Sequence, residues 1–399
     1  RDVERSRGLG DVYKRQINSM PTNLENPIQA SEVVLPCAEL ESTLAFFTEN
    51  LGFQINAIFP ADAPLVAVIS GHGVRLRLER GGSGSPGKLR LLCRNPEEFA
   101  EGATELTAPN GTCIEIVEAD PPLVLPPEQQ SFVLNLCSND ASWEVGRAGM
   151  NYRDLIPNRQ GGRFVASHIR IPEGGPVPDY VHFHKIRFQM IYCYKGWVRV
   201  VYDEQGPPFV MHSGDCVLQP PQIRHRVLES SAGLEVIEIS CPAEHETWAD
   251  PDLDLPTTEV RSNRDFGGQH FVFHQVVQAE WSPWRMEGFE FRDTGIGTAT
   301  KGLAGVRVVR PLNGSKPLVC SHSGEFYFFF TLEGGVTLIC EGLGSQRMEA
   351  GDSCVIPAQQ RHALTDCSDD LELLEATFPA ELETQLHSMS VEALMNIDD

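Results

Sequence analysis

Residues 174–196 read GGPVPDYVHFHKIRFQMIYCYKG, and residues 214–225 read GDCVLQPPQIRH. His182 and His184 stand two apart, a spacing that sends both side chains to one face of a strand. Gln189 follows after four residues and Gly196 closes the segment. A Gly-Asp turn and a double proline then lead to a third histidine, His225. Taken alone, the HxH pair is weak, because two ordinary core or surface histidines satisfy it. The company it keeps raises it.

Outward from these runs the chain repeats itself. GMNYRDLIP at 149–157 corresponds to GFEFRDTGI at 288–296, GWVRVVY at 196–202 to GGVTLIC at 334–340, and GDCVLQPPQIRH to GDSCVIPAQQRH at 351–362. The offset stays at roughly 137–139 residues, so this is an internal duplication. Each copy is rich in short strands with Gly/Pro turns and lacks a long amphipathic helix, which reads as an antiparallel β sandwich, jelly roll or barrel.

The spacing resembles the motifs of the cupin family: HxH, four residues, Glu or Gln, six residues, Gly; then Gly-Asp, a proline and a final His. The resemblance implies a metal held inside the first barrel on His182, His184, Gln189 and His225. Three imidazoles suit iron, and also nickel, manganese, zinc or copper. One divalent ion is expected, Fe(II) first, with Ni, Mn or Zn as alternatives. Most cupins carry Glu where this chain has Gln189. The neutral ligand removes one negative charge, which makes the ion a stronger Lewis acid and repels anionic substrates less. A similar set occurs in the cupin that acts on unsaturated uronates, a redox-neutral reaction.

Aligning Gly334 with Gly196 puts Cys320, His322 and Tyr327 on the first three ligand positions and His362 on the last. Glu325 lies nearby, so a Cys320/His322/Glu325/His362 set is an alternative. The second site reads as decayed, with the run EFYFFFTL putting bulky aromatics where a cavity would be. That barrel is expected to stabilise or dimerise while the first does chemistry.

Beside the first-site ligands stand Tyr180, Lys185, Arg187, Tyr192, Gln219 and Arg224. Arg187, Tyr192 and Arg224 are the catalytic or substrate-binding candidates, an arginine being able to bind a carboxylate bidentately. Alternation admits only some of these to the interior, and parity across the turns is not fixed by sequence. The recurring pairs Arg153–Asp154 and Arg292–Asp293 are expected to be structural salt bridges. His212, His245, His270 and His274 lack companions at ligand spacing and read as ordinary.

Ahead of the repeats, residues 30–118 form one block. EVVLPCA reads as a strand, and ELESTLAFFTENLGF as a helix stopping at Gly52. Three strand-like runs follow, QINAIF, PLVAVIS and VRLRLER, then a shortened second copy, KLRLLCR–PEEFAEGA–TCIEIVEA. The first strand, the LExxLxFFxxxLGF helix and the closing NGTCIEIVE resemble the vicinal-oxygen-chelate (glyoxalase/bleomycin-resistance) family. That family's ligand positions fall on Glu32 and Glu115. With its second module truncated, the block is read as a structural or dimerising remnant.

The remaining segments are a linker at 119–142 with one embedded strand, SFVLNLC, barrel one at 143–250, a linker at 251–280, barrel two at 281–380, and a C-terminal helix and tail at 381–399. Residues 1–16, RDVERSRGLGDVYKRQ, match nothing that follows and read as a sequencing-adapter scar or a basic disordered tail.

Composition narrows the function classes. With 41% hydrophobic residues over 399, sizeable cores are expected. A net charge of -23, from 55 acidic against 32 basic residues, argues against nucleic acid and anionic membranes. Eleven scattered cysteines without a CxxC pair read as reduced thiols of a cytoplasmic protein. The expected fold is mainly β: two tandem cupin (jelly-roll) barrels preceded by a small α+β glyoxalase-like module. The expected function is a metalloenzyme, dioxygenase-type first, acting on a small oxygen-rich or aromatic carboxylate. A redox-neutral isomerase, lyase or hydrolase and a non-catalytic binding cupin are the alternatives. A small-molecule substrate is the expected partner, and a homodimer is compatible with the reading.

Overall fold

The computed structural model describes residues 30–60, 63–137, 143–312 and 317–396; the run 1–16 and the SNDAS segment at 138–142 lie outside them. The chain falls into two compact units that divide between Pro122 and Leu123.

In the unit ahead of that division, strand Val33–Cys37 leads into helix Leu40–Ala45, which widens into a π turn at Phe46–Asn50. Leu40, Phe47 and Leu51 turn into the core, and Gly52 ends the element at φ +74°, a conformation glycine adopts without penalty. Four strands follow one another across the sheet as Val33–Cys37, Val74–Arg80, Val66–Gly71 and Gln54–Phe59, the first two parallel. The shortened copy keeps the parallel pair Lys88–Cys93 and Cys113–Glu118, with Glu105–Thr107 at the edge. Where the sequence offers PEEFAEGA, only a 3-10 turn at Ala100–Gly102 forms.

The second unit is mainly β and holds two tandem barrels, each made of a seven-stranded and a five- or six-stranded sheet. Barrel one's large sheet runs Val272–His274, Cys216–Leu218, Phe188–Lys195, Leu234–Cys241, Val165–Ile171, Asn151–Asp154, Glu144–Val145. Its smaller sheet runs Phe209–His212, Trp197–Tyr202, His225–Ser230, His182–His184, Thr247–Ala249.

Barrel two repeats this order and corrects the expected linkers. Val133–Asn135, in the run expected to join modules, pairs with Ser353–Val355 of barrel two. Val272–His274, in the other expected linker, pairs with Cys216–Leu218 of barrel one. The first strand of each copy thus closes the other barrel, and SFVLNLC matches HFVFHQV at 270–276 at the same offset. The C-terminal segment differs likewise. Thr384–His387 is a strand paired with Val319–His322, and the helix is only Val391–Met395. Its counterpart is Thr247–Ala249 on His182–His184.

Strand Phe188–Lys195 is buried on both faces. Phe188, Met190, Tyr192 and Tyr194 join Phe326, Phe328, Phe330 and Phe378 in a core shared by both barrels. Phe164 stacks on Phe326 with centroids 4.1 Å apart. The alternate residues Gln189, Ile191 and Cys193 face barrel one's interior. The EFYFFFTL run splits the same way: Tyr327 and Phe329 fill barrel two, while Phe326, Phe328 and Phe330 pack between barrels. Fully burying each such side chain contributes about 1.5–3 kcal/mol, so this shared core ties the barrels into one body.

All eleven cysteines are free thiols, seven of them buried. Among the described residues, no helix is long and apolar enough to cross a membrane.

Candidate metal centre

His182 and His184 lie on one face of their short strand, and His182 is directly paired with His225 on the neighbouring strand. One nitrogen of each ring lies within 4.8 Å of the other two. The second shell shows which nitrogen that is. His182 Nδ1 donates to the Tyr180 carbonyl at 2.8 Å and His225 Nδ1 to the Ile223 carbonyl at 3.0 Å. His184 Nδ1 shares a hydrogen bond with Thr247 Oγ1 at 3.1 Å. Each outer contact fixes the ring and leaves Nε2 for the centre.

All three histidines are buried, and burial dominates their acidity. It drives His182 down to about 3, helped by Arg147, and His184 to about 2, helped by His225 and His245. His225 is pushed well down by burial and then by His182. The imidazoles are therefore neutral at ordinary pH, with lone pairs available for an ion.

Gln189 lines the same cavity. Its Nε2 donates to Glu238 Oε1 at 3.2 Å, and its buried Oε1 has no partner. His182 Nε2 is likewise buried and unpartnered. Buried polar atoms are normally satisfied. Two orphans among the residues that line one cavity with three clustered imidazoles fit a divalent ion, which accepts both imidazole nitrogen and amide oxygen.

The centre opens on a cavity of about 90 Å³ between the two sheets. That is well above the roughly 10–15 Å³ needed to hold a single water, and leaves room for a small molecule. Its walls are mostly apolar, with Ile169, Ile191, Val198, Val200 and Val236 among them. The polar exceptions are few. Arg147 is paired with buried Asp179, which also accepts from Val227 N at 3.0 Å. Gln219 Nε2 donates to Tyr202 Oη at 2.8 Å, and Tyr202 lies flat against His225. Tyr152 is pushed up to about 12 by burial and by Glu238.

No family model and no curated protein matches the chain. Solved structures do. An oxalate decarboxylase from Lactobacillus farciminis, in a formate complex, matches at TM-score 0.48 and 14% identity, covering 69% of this chain and 100% of its own. The Bacillus subtilis oxalate decarboxylase, described with Mn(II) centres, matches at 0.47 and 14%, covering 65% and 79%. Salicylate 1,2-dioxygenase from Pseudoaminobacter salicylatoxidans, with gentisate, matches at 0.46 and 16%, covering 61% and 80%.

The three candidates beside the ligands go elsewhere. Arg187 bonds Glu325 at 2.7 Å, between the barrels. Tyr192 has the opposite strand parity to Gln189, so it faces the inter-barrel core, where its hydroxyl meets Arg292 at 3.3 Å. Arg224 stacks over Phe183 and bonds Asp250 at 3.1 Å, on the outer face. The arginines that do line the cavity are Arg147, six residues before Arg153 on the approach to the barrel and with no motif to mark it, and Arg226, next to His225. Tyr202, Gln219 and Glu238 also line it. Strand alternation from Gln189 could have found only Ile191, because the others sit on different strands. His245, read as ordinary, packs edge-on against His184 with centroids 5.2 Å apart. Its segment PAEHETW matches PAELETQ in the second copy, a signal that it lies in a barrel strand run and not in a linker.

Among the described residues, barrel two holds no such centre. His322 uses both nitrogens: Nε2 donates to the Ile356 carbonyl at 3.0 Å and Nδ1 accepts from Gly324 N at 3.1 Å. Cys320 Sγ meets His362 Nε2 at 3.4 Å, with the thiol raised to about 11 by burial. Tyr327 Oη takes a bond from Arg285 at 2.7 Å. Glu325 is not in the interior; it pairs with Arg163 and Arg187. Where barrel one has a cavity, the guanidinium of Arg285 is clamped on buried Glu375.

The recurring arginines also differ from expectation. Arg153 reaches the Gly351 carbonyl of barrel two at 2.5 Å, and Arg292 reaches Tyr192 of barrel one, so each crosses between barrels instead of pairing with its neighbouring aspartate. In the first unit, Glu32 is bound by Arg75 at 2.8 Å, and Glu115 by Lys88 and Arg90 at 3.3 Å each. Neither joins a group able to hold a metal among the described residues.

Proposed function

We propose that this chain is a metal-dependent bicupin enzyme with one working centre, in which a divalent ion is held by His182, His184, His225 and Gln189 Oε1. The observation that carries this is the pair of buried, unpartnered atoms, His182 Nε2 and Gln189 Oε1, on residues that line one mostly apolar cavity with the clustered imidazoles. Leaving each unsatisfied costs about 1–3 kcal/mol, and an ion removes both penalties.

Charge in the wall points to the substrate class. Arg147 is paired with Asp179, and Arg226 and Glu238 bring opposite charges to the wall. A divalent ion would then make the cavity net positive, which a carboxylate substrate offsets. Tyr202, already accepting from Gln219, has its own hydroxyl proton to donate to a substrate oxygen. The apolar wall keeps water out and strengthens each polar contact. Bound iron would supply Lewis acidity and a path for electrons between substrate and O₂. The leading reading is therefore a dioxygenase-type oxidation of a small oxygen-rich or aromatic carboxylate with Fe(II). Gln189, a neutral ligand, favours the second reading, a redox-neutral isomerase, lyase or hydrolase on Mn, Ni or Zn.

Elemental analysis of protein purified without added metal, beside His182→Ala, tests the centre; oxygen uptake with catechols, diketones and hydroxy acids tests the reaction. One equivalent of iron lost in the variant, with substrate-dependent uptake, is expected. No metal in either protein would overturn the proposal in favour of a binding module.

A further inference from the structure

Resting on that metal centre, we infer that Glu238 is a positioning residue that dictates which end of the Gln189 amide faces the ion. An ionised carboxylate only accepts hydrogen bonds, so the NH₂ end of Gln189 is the only end that can face it. Glu238 Oε1 takes Gln189 Nε2 at 3.2 Å and Ser240 Oγ at 3.2 Å. Ser240 is fully buried and sits directly opposite Gln189 in the strand register. With Nε2 committed, Oε1 is left buried and unpartnered on a residue that lines the cavity of the three imidazoles. An amide turned the other way would present two N–H donors to a cation, which no cation accepts.

The duplication supplies an independent sign that this carboxylate is a holder of polar groups. Glu375 stands 137 residues on, in the strand equivalent to that of Glu238. It too points at the barrel interior, but it grips the Arg285 guanidinium, with Tyr327 at the place of Gln189. Each copy keeps an interior carboxylate, and what it holds decides the barrel. Holding an amide leaves an oxygen free for a metal; holding a guanidinium fills the space with a resident cation.

The test is the Mn(II) affinity of the full chain, read from the free-ion signal by electron paramagnetic resonance. Glu238→Gln offers Gln189 both a donor and an acceptor, so the orientation is lost and affinity should fall about 10–100-fold, the usual cost of removing a second-shell partner. The exchange Gln189→Glu with Glu238→Gln restores an acceptor at the ion and a donor behind it, and should bind Mn(II) within about threefold of the wild type or tighter. A structural role alone would not give that rescue. Melting curves establish that each variant is folded; if Glu238→Gln is not, the double variant carries the test by itself. Wild-type affinity in Glu238→Gln, or a folded double variant without Mn(II), overturns the inference while leaving the metal centre standing. A wild type that takes up no Mn(II) and no iron overturns the centre, and the inference with it.

Discussion

Consider Arg285→Met, a change that removes the cation from barrel two. Glu375 is fully buried and takes two contacts from Arg285, one of them to Oε2 at 3.1 Å. What remains after the change is Trp284 Nε1 at 3.4 Å and Arg307 at 3.9 Å, both long. Removing one member of a buried pair strands the other charge and costs about 3–5 kcal/mol, whereas replacing both by apolar groups is often neutral or stabilising. At roughly 2–4 °C per kcal/mol for a body of this size, Arg285→Met should lower the melting temperature by about 6–20 °C. Arg285→Met with Glu375→Leu should return to within about 1 kcal/mol of the wild type, giving a large coupling energy in the double-mutant cycle. Melts in urea and by heat at pH 7 read all four corners. A single variant within 1 kcal/mol of the wild type, or a double variant as poor as the single, would refute the claim that this ion pair is what fills barrel two.

Two further expectations follow from the asymmetry of the barrels and from the buried imidazoles. His322→Ala should leave bound metal unchanged by elemental analysis, since both its nitrogens serve backbone partners; loss of the metal would bring barrel two back as a site. In metal-free protein, His182, His184 and His225 titrate far below the unfolded value near 6.5. Above that value both states are neutral and pH has no leverage through these groups. As pH falls below it the unfolded chain takes protons the folded one excludes, so stability drops by about 1.4 kcal/mol per pH unit for each histidine. His225→Gln should flatten the urea-midpoint dependence between pH 6.5 and 5 by about that slope, and an unchanged slope would refute the buried-neutral assignment.

The repeats, the strand-rich copies and the convergence of His182, His184 and His225 were legible because each is a pattern within short windows. HxH fixes a face, and the Gly-Asp-Pro run fixes a turn. What failed was everything depending on which neighbouring strand a residue meets. Arg187, Tyr192 and Arg224 are sequence neighbours of ligands, yet in a strand an odd step reverses the face, and Tyr192 lies three from Gln189. Glu238 and Arg147 reach the cavity from strands and turns tens of residues away, through register alone. The exchanged strands Val133–Asn135 and Val272–His274 looked like linkers because each is only three residues long and stands outside the run of the barrel it closes, Val133–Asn135 by the length of a whole copy.

Gln189 reads in sequence as the loss of a charge from the metal set, and the structure changes what that loss means. The negative charge is still present, on Glu238, one hydrogen bond behind the amide. With an ion bound as proposed, ion, ligands and Glu238 would together carry the charge of a glutamate-ligated site, but with the negative charge displaced from the ion by a side-chain length. At close range an ion on a neutral oxygen is the stronger Lewis acid; at the distance of an approaching carboxylate the displaced charge repels, and interactions in so apolar a wall are weakly screened. An anionic substrate should therefore be selected for bringing its oxygen close to the ion and away from Glu238, within a cavity that Tyr202 and Arg147 also line.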